Sequence, residues 1–207
     1  MVLALLLVAA VWLALGRREE IPGPPEEEPL AGQAVIVDEE APLADPQKSA
    51  DREVVLFFSR EGTAGLYPEM RRILVTASLT DQVRQVVEAL IRGPRRALGV
   101  AVLPKQAQLR QIYLDREGNA YVDFTPELVT RHPGGTEAEV ATLFALVNAL
   151  TYNFPEIRSV QILVDGEQRE TLAGHLDLGR RYYRDLSRVD SDALEGLLLA
   201  AGGHARR

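Results

Sequence analysis

Hydrophobic and polar positions change their spacing several times along the chain, and each spacing predicts a different element. The segment 53–59, EVVLFFS, is a short apolar run, and LYPEMRRILV at 66–75 follows it after the turn-like REGTAG. Short runs rich in β-branched and aromatic residues, bounded by turn residues, are typical of strands. The pattern therefore predicts two strands.

The next segment, 78–94, has a helical period. Its apolar positions recur every three or four residues and form one face: Leu79, Val83, Val86, Val87, Leu90 and Ile91. Ser78 or Thr80 can cap the start through a side-chain oxygen, and Gly93-Pro94 ends the helix. This is the clearest helical pattern in the chain.

Two hairpins are predicted after this helix. Leu109 to Leu114 and Ala120 to Phe124 both alternate, and they flank turn residues at 116–119. The segment 159–172, SVQILVDGEQRETL, centres on Asp165-Gly166, a dipeptide that accepts the positive φ angles of a type I′ turn.

A second long helix is predicted between the hairpins. Thr136-x-x-Glu139 has the spacing of a capping box and follows Pro133-Gly134-Gly135. The apolar face consists of Val140, Leu143, Phe144, Val147 and Leu150. Asn148 lies within this face, and we expect its amide to bond with neighbouring backbone, because a buried polar group needs a partner.

The order of elements predicts an α+β fold. Strands joined by short turns imply a mostly antiparallel sheet, and two one-faced helices need a common surface to cover. We therefore expect both helices on one face of a single sheet, with residues 53–178 as the domain and Gly174 to Leu178 beside the sheet. Residues 179–207 are predicted to form a tail that ends in a frayed helix or in disorder, with a partner-binding motif as the alternative.

The N-terminal segment is apolar and uncharged from Val2 to Gly16. Its length suits a membrane anchor, a cleaved signal peptide or a buried core helix, and the charged, proline-rich sequence after it favours a retained anchor in residues 1–18. Arg17 and Arg18 follow the run, where the positive-inside rule places the cytoplasm. An outward-facing domain therefore leads us to expect basic residues upstream of Met1.

Most of the net charge of −7 lies in one segment. Residues 19–52 contain ten acidic and two basic residues and six of the twelve prolines, which predicts a disordered linker. From residue 53 onward, twenty acidic residues face nineteen basic ones. The predicted domain thus lacks the basic excess that drives nucleic-acid binding.

Few residues offer catalytic chemistry. The chain has no cysteine, and it has no nucleophile elbow, phosphate-binding loop or His-x-x-x-His zinc motif. A metal site built from His132, His175 and His204 would need the tail to take part, so neither a metal nor a cofactor is expected.

The pair His175 and Asp177 is the one catalytic candidate. On an extended chain, residues i and i+2 project to the same side, so the two side chains can share a proton. No nucleophile accompanies them. We therefore expect a structural role, in which Asp177 accepts backbone hydrogen bonds and His175 packs at the end of the sheet. Contact with a ligand or partner is the second alternative, and catalysis is the third.

Three stretches carry a family resemblance: VVEALIRGP, VLPKQAQLRQIYLDREGNAYVDFTPEL and GGTEAEVATLFALVNALTYNFPEIRSVQILVDGEQRETLAGHLDL. Their order and spacing closely resemble the GerMN domain, the sporulation and spore germination family, over residues 54–178. The specific features include Gly93-Pro94, the Gly-Gly pair before the second helix, and Asp165-Gly166 leading to Gly174-His175.

The resemblance implies an extracytoplasmic module, anchored in the membrane or carried on a lipoprotein, with no known catalytic residue. It also implies helices packed on a small sheet, as in the ring-building motifs of envelope assemblies. This chain has one copy where the germination proteins have two, and it has no lipobox cysteine.

These observations favour a non-enzymatic envelope protein that docks to another protein or to itself. The alternative is a module that binds a cell-wall glycan such as peptidoglycan, or a small ligand. We expect the open face of the sheet, including Gln161, Arg169 and Thr171, to contact the partner, unless it is a plain solvated face.

Overall fold

The structure is a computed structural model that describes residues 50–62, 65–97 and 99–202. Its strands are β1 (Asp51–Arg60), β2 (Leu66–Leu74), β3 (Gly99–Val100), β4 (Leu109–Leu114), β5 (Asn119–Phe124), β6 (Ser159–Val164) and β7 (Tyr182–Tyr183). Its helices are α1 (Leu79–Arg92), α2 (Glu127–Thr130), α3 (Thr136–Asn153) and α4 (Ser191–Gly202), with a 3₁₀ turn at Leu186–Arg188.

The strands form two sheets. One sheet is antiparallel with the order β2-β1-β3, and the other has the order β4-β5-β6-β7. The β5–β6 pair is parallel, while β4–β5 and β6–β7 are antiparallel. The α+β class is confirmed, whereas the prediction of one sheet with both helices on one face was wrong.

Helix α3 is apolar on more of its surface than a single sheet face can cover. Eleven of its eighteen residues are buried, far more than one stripe. The helix contacts β1 of the first sheet and β6 and β7 of the second, so apolar side chains find partners on both sides. At its C-terminal end, the Asn153 side chain donates to Val55 O at 2.7 Å and accepts from Val55 N at 2.8 Å. This amide satisfies backbone groups on the edge of β1 that faces away from β2.

Helix α1 has the predicted bounds and cap. The Ser78 hydroxyl accepts a hydrogen bond from Asp81 N at 3.3 Å, and Gly93 follows the last turn with φ +84°. Its predicted apolar face is buried at Val83, Val86, Val87 and Leu90. The helix contacts β1, β2 and β4, and it therefore also touches both sheets.

The predicted capping box at the start of α3 was wrong. Gly135, with φ +87°, is the N-cap residue, and no side chain caps the helix. Glu139 does not bond back to the start of the helix because its carboxylate is bound to a distant loop, described below.

The predicted second hairpin is half correct. Asp165 and Gly166 both have positive φ, +58° and +80°, as a type I′ turn requires. Beyond the turn, only Glu167 bridges back to Val164. On the side of β6 away from β5, the neighbouring strand is β7, which pairs with Ser159 and Val160.

Residues 179–202 contribute to the core and do not form a separate tail. Tyr182 and Val189 are each 7% exposed, and helix α4 packs against β2. The predicted anchor in 1–18 and the linker up to residue 49 lie outside the described residues. Within the described part of the chain, no helix has the length and apolar character that a membrane crossing requires.

Candidate functional site

Two neighbouring cavities open at the end of β1, and both are lined by Ser59 and Arg60. The larger, about 400 Å³, is here called the helix-side groove, and its lining is Ser59, Arg60, Gly65, Leu66, Val100, Glu137, Ala138, Val140, Ala141, Phe144 and Arg188. The smaller, about 260 Å³, is here called the tyrosine pocket, and its lining is Phe58, Ser59, Arg60, Tyr67, Glu69, Pro94, Arg96, Ala97 and Gly99. They lie beside each other where β1 pairs with both β2 and β3.

The tyrosine pocket follows from the register of β1 and β2. Phe58 pairs with Tyr67, and Leu56 pairs with Glu69. Side chains directly opposite each other in antiparallel strands share a face, so ring and carboxylate lie in one row. The Arg60 guanidinium lies 4.9 Å from the centre of the Tyr67 ring, and that of Arg96 lies 5.5 Å from it. Two cations thus contact one aromatic ring.

Glu69 forms the floor of this pocket. It is 5% exposed, and its carboxylate forms an ion pair with Arg71, which is 6% exposed. The same carboxylate accepts hydrogen bonds from Arg95 N at 3.2 Å and Arg96 N at 3.4 Å. Burial lowers the pKa of Arg71, Glu69 raises it, and the charges of Arg95 and Arg92 lower it further. Several arginine side chains therefore surround the carboxylate of Glu69.

The loop that carries Arg96 is held at both ends. Arg71 donates to Gly93 O at 2.9 Å, and Gly99 pairs with Arg60 in the sheet. A Cβ at Gly99 would lie 2.4 Å from the Cβ of Pro94, which is a clash with a rigid ring. Only glycine allows this close approach. These contacts hold the backbone on both sides of Arg96 and so fix the position of its Cα atom.

The helix-side groove has a different character. Leu66, Val100 and Phe144 bring apolar surface from β2, β3 and α3, and Val100 is 46% exposed. The Arg188 guanidinium lies 5.0 Å from the centre of the Phe144 ring and 3.4 Å from Asp185 Oδ2. An apolar floor with arginine at the rim suits contact with another molecule.

The sheet face predicted to contact a partner is not open. Gln161 is 4% exposed, and its amide lies 3.4 Å from Leu178 O. The segment after β6 covers this strand, because Leu172 and Leu178 are buried against the core. Arg169 and Thr171 are exposed, but they lie in the loop beyond the turn. Gln161 was expected on an exposed sheet face, but strand β6 is buried on both of its faces.

The predicted pair His175 and Asp177 is not joined by a hydrogen bond or an ion pair. His175 Nδ1 lies 2.7 Å from Glu139 Oε1, while Asp177 Oδ1 accepts from Gly179 N at 2.7 Å. Arg180 approaches the Asp177 carboxylate at 3.8 Å. Each member of the pair is thus used separately, one toward α3 and the other within its own turn.

Glu139 is the buried group that holds this loop. Its side chain is fully buried, and Oε2 accepts from the backbone N–H groups of Ala173, His175 and Leu176 at 3.1, 3.2 and 2.8 Å. Burial opposes its ionisation, but hydrogen bonds from the His175 ring and these amides prevail and lower its pKa to about 2. The arrangement fastens the loop to α3. It leaves Glu139 no exposed atom for chemistry.

Asn148, Asp165, Gly166 and Gly174 were also expected to have structural roles. Asn148 is buried, and its amide both donates to Asp185 O and accepts from Asp185 N, at 2.8 and 2.9 Å. The Asp165–Gly166 turn is held by Asp123, which accepts from Gly166 N at 2.8 Å. Gly174 has φ +111°, a conformation that strains other residues.

Histidines do not gather at a metal site. His132 Nδ1 accepts from Gly134 N, so its other ring nitrogen donates to Thr142 Oγ1 at 2.9 Å. Burial lowers the pKa of His132. His204 lies outside the described residues, within which no group of three His, Asp or Glu side chains has the geometry to hold a metal ion.

Both cavities have arginine side chains in their linings. Arginine stays protonated and offers fixed hydrogen-bond donors, and neither lining includes a histidine. Sequence reasoning missed the row Tyr67, Glu69 and Arg71. A signal was present, since the three alternate in β2 and place polar groups on a face that otherwise packs on α1.

Three solved structures match part of this chain. The tandem GerMN domains of the sporulation protein GerM from Bacillus subtilis match at a TM-score of 0.51 and 19% identity, over 71% of this chain and 49% of theirs. The first GerMN domain of that protein gives a TM-score of 0.46 at 19% identity, over 58% of this chain and 88% of its own. A candidate lipoprotein from Clostridium perfringens gives 0.48 at 24% identity, over 66% and 90%. No curated protein sequence matches the chain.

The family model described as sporulation and spore germination, Germane, matches residues 54–170. This range covers more than half of the chain and contains most of β1, all of β2 to β6, and α1 to α3. The chain therefore belongs to the sporulation and spore germination family.

Proposed function

We propose that this chain is a non-enzymatic protein of the cell envelope whose domain binds another protein through the helix-side groove. The supporting observation is the groove itself, where apolar residues of β2, β3 and α3 meet below Arg60 and Arg188. Aromatic residues and arginine are enriched in protein interfaces. This surface replaces the sheet face around Gln161 as the docking region.

The chemistry of the partner follows from the groove. A cavity of about 400 Å³ accepts one or two apolar side chains, and Arg60 and Arg188 outnumber Glu137 in the lining, which favours an acidic neighbour. Strand β3 has two residues and lies at the edge of its sheet beside the groove. An extended partner segment can pair with this edge while its side chains enter the groove. The partner is thus an extended segment that alternates apolar and acidic residues.

The N-terminal sequence supports a location at the membrane. The apolar run at 2–16 acts as the membrane anchor, and the acidic, proline-rich residues 19–52 separate it from the domain. The resemblance to extracytoplasmic GerMN modules, and not the charges at Arg17 and Arg18, favours a domain outside the cytoplasmic membrane, where envelope proteins assemble.

The absence of native cysteine makes a site-specific test possible. Val100→Cys, labelled with a photoactivatable crosslinker in native membranes, should give a discrete adduct. Tyr113→Cys is the matched control, since Tyr113 is 53% exposed on β4 of the other sheet. Adding Ala141→Trp fills the groove and should abolish the Val100 adduct.

Two results contradict this proposal. Equal adducts from Val100→Cys and Tyr113→Cys, or an adduct that survives Ala141→Trp in a folded protein, exclude the groove as the docking site. Light scattering identifies the partner type, because an adduct with a second copy predicts a mass that rises with concentration.

A further inference from the structure

We propose that the tyrosine pocket is a binding site for a small carboxylate ligand, held by Arg96 and Arg60 and packed against Phe58 and Pro94. This inference is separate from protein docking in the helix-side groove. It assigns a ligand class to the neighbouring cavity, which shares Ser59 and Arg60 with the groove.

The charge around the pocket favours an anion. Arg60 and Arg96 both contact the Tyr67 ring, and Arg95 is exposed on the same loop. Glu69 is the acid in the lining, and Arg71 together with two backbone N–H groups already binds its carboxylate. A ligand anion therefore meets arginine donors and an acid whose charge is largely compensated.

The pocket is also built before a ligand arrives. Glu69 fixes the backbone of Arg95 and Arg96, Arg71 fixes Gly93, and β3 joins the end of the loop to β1. A buried ion pair is costly to form and is weak evidence for stability alone. Here it holds the arginine-bearing loop over the cavity, and such preorganisation lowers the entropy lost on binding.

Size and lining select the ligand further. A cavity of about 260 Å³ is the volume of about nine water molecules, which suits an acylated amino acid or a single sugar acid. Phe58, Pro94 and Ala97 offer apolar contact beside the arginines. An organic acid fills this apolar surface, whereas inorganic phosphate leaves it empty and loses that part of the binding free energy. A planar carboxylate also matches the guanidinium fork.

Binding to the full-length chain in detergent tests the proposal by calorimetry at low salt. The probes are N-acetylalanine and glucuronic acid, each compared with its uncharged counterpart, N-acetylalaninamide or glucose. We expect at least one acid to bind about tenfold more tightly than its counterpart. The acid that binds more tightly identifies the source as a peptide terminus or a sugar acid.

Variants then locate the site. Arg96→Gln should weaken the binding of the acid about tenfold, and Tyr67→Phe should leave it nearly unchanged because the ring remains. Arg116→Gln, an exposed arginine on the β4–β5 turn, is the matched control and should have no effect. Circular dichroism confirms that each variant is folded.

Three outcomes overturn the proposal. These are equal or undetectable binding of the acids and their uncharged counterparts, full binding by folded Arg96→Gln, and tighter binding of inorganic phosphate than of either acid. None of these results bears on the Val100 crosslink, so the two proposals fail independently.

Discussion

Two buried glutamates hold loops in this domain, and they do so with different partners. Glu139 is fully buried, binds three backbone N–H groups and has the half-exposed His175 as its side-chain partner. Glu69 is 5% exposed, binds two backbone N–H groups and pairs with the buried Arg71. Both carboxylates thus organise a loop by its amides.

The difference shows that a buried carboxylate can stabilise either a packed loop or a binding pocket. At Glu139, the amides and the histidine hold a loop against α3, and the acid lines neither of the two cavities. At Glu69, the arginine partner completes the charge pair, and the loop carries Arg96 over an open pocket. A carboxylate satisfied by amides serves packing, whereas one satisfied by a cation next to further cations creates a charged surface.

The largest effect is expected for Glu69→Ala. Removing the acid leaves Arg71 buried without its counter-charge, and breaking such a pair costs about 3 to 5 kcal/mol. Urea unfolding should show this loss. Glu137→Ala, an exposed glutamate on α3, is the control and should change stability by less than about 0.5 kcal/mol.

A double variant separates pairing from positioning. Glu69→Leu with Arg71→Met replaces both charges by apolar groups and should recover most of the stability, because the desolvation cost disappears with the pair. The arginine loop then loses its anchor, so acid binding in the tyrosine pocket should stay weak. Recovery of both properties would show that Glu69 does not position Arg96.

Acid should destabilise the protein through Glu139 by about 3 kcal/mol. Its pKa is about 2 in the folded state and 4.5 ordinarily, so the folded state binds the proton less readily than the unfolded chain. Its contribution is full above pH 4.5 and is lost as the pH falls through about 2. Urea unfolding between pH 6 and 2.5 should show this fall.

Glu139→Gln isolates that contribution. Asp115 and Asp185 also have lowered pKa values and act equally in both proteins, so the difference between the two pH profiles is the quantity to compare. The variant should be less stable at pH 6 and should approach the wild type near pH 2.5. Parallel profiles would mean that Glu139 is not the acid-sensitive group.

Local pattern predicted much of this fold. Helix α1 and the β4–β5 hairpin depend on contacts within a few residues, and their bounds follow from periodicity and turn chemistry. The division of the strands into two sheets does not follow from local pattern. It depends on the parallel pairing of β5 with β6, whose paired residues are 40 positions apart. Strand pairing at that distance has no local signature.

The candidate site was harder to predict than the fold. Glu139 has the spacing of a cap, and its actual partners lie 34 to 37 positions later in the chain. Glu69 and Arg71 alternate with apolar residues, which fits an exposed strand face, yet both are buried. Only tertiary structure brings residues 93–97 over them.

His175→Ala should have a smaller effect, about 1 kcal/mol. The ring donates one hydrogen bond to a charged acceptor, but its side chain is 54% exposed and water replaces part of the loss. The three backbone N–H groups still satisfy Glu139. His175→Asn is a suitable second variant because its amide can donate to Glu139. A loss equal to that of Glu69→Ala would mean that the ring, and not the amides, holds the loop.

The smallest effect is expected for Asp177→Asn, below about 0.5 kcal/mol. Its side chain is 60% exposed, and an asparagine oxygen can still accept the bond from Gly179 N. Combining it with His175→Ala tests whether the two residues act as a pair. Because one contacts α3 and the other its own turn, the two losses should add within about 0.5 kcal/mol in urea unfolding. A coupling well above that value would show a direct His175–Asp177 interaction and would restore the pair as a site that acts as a unit.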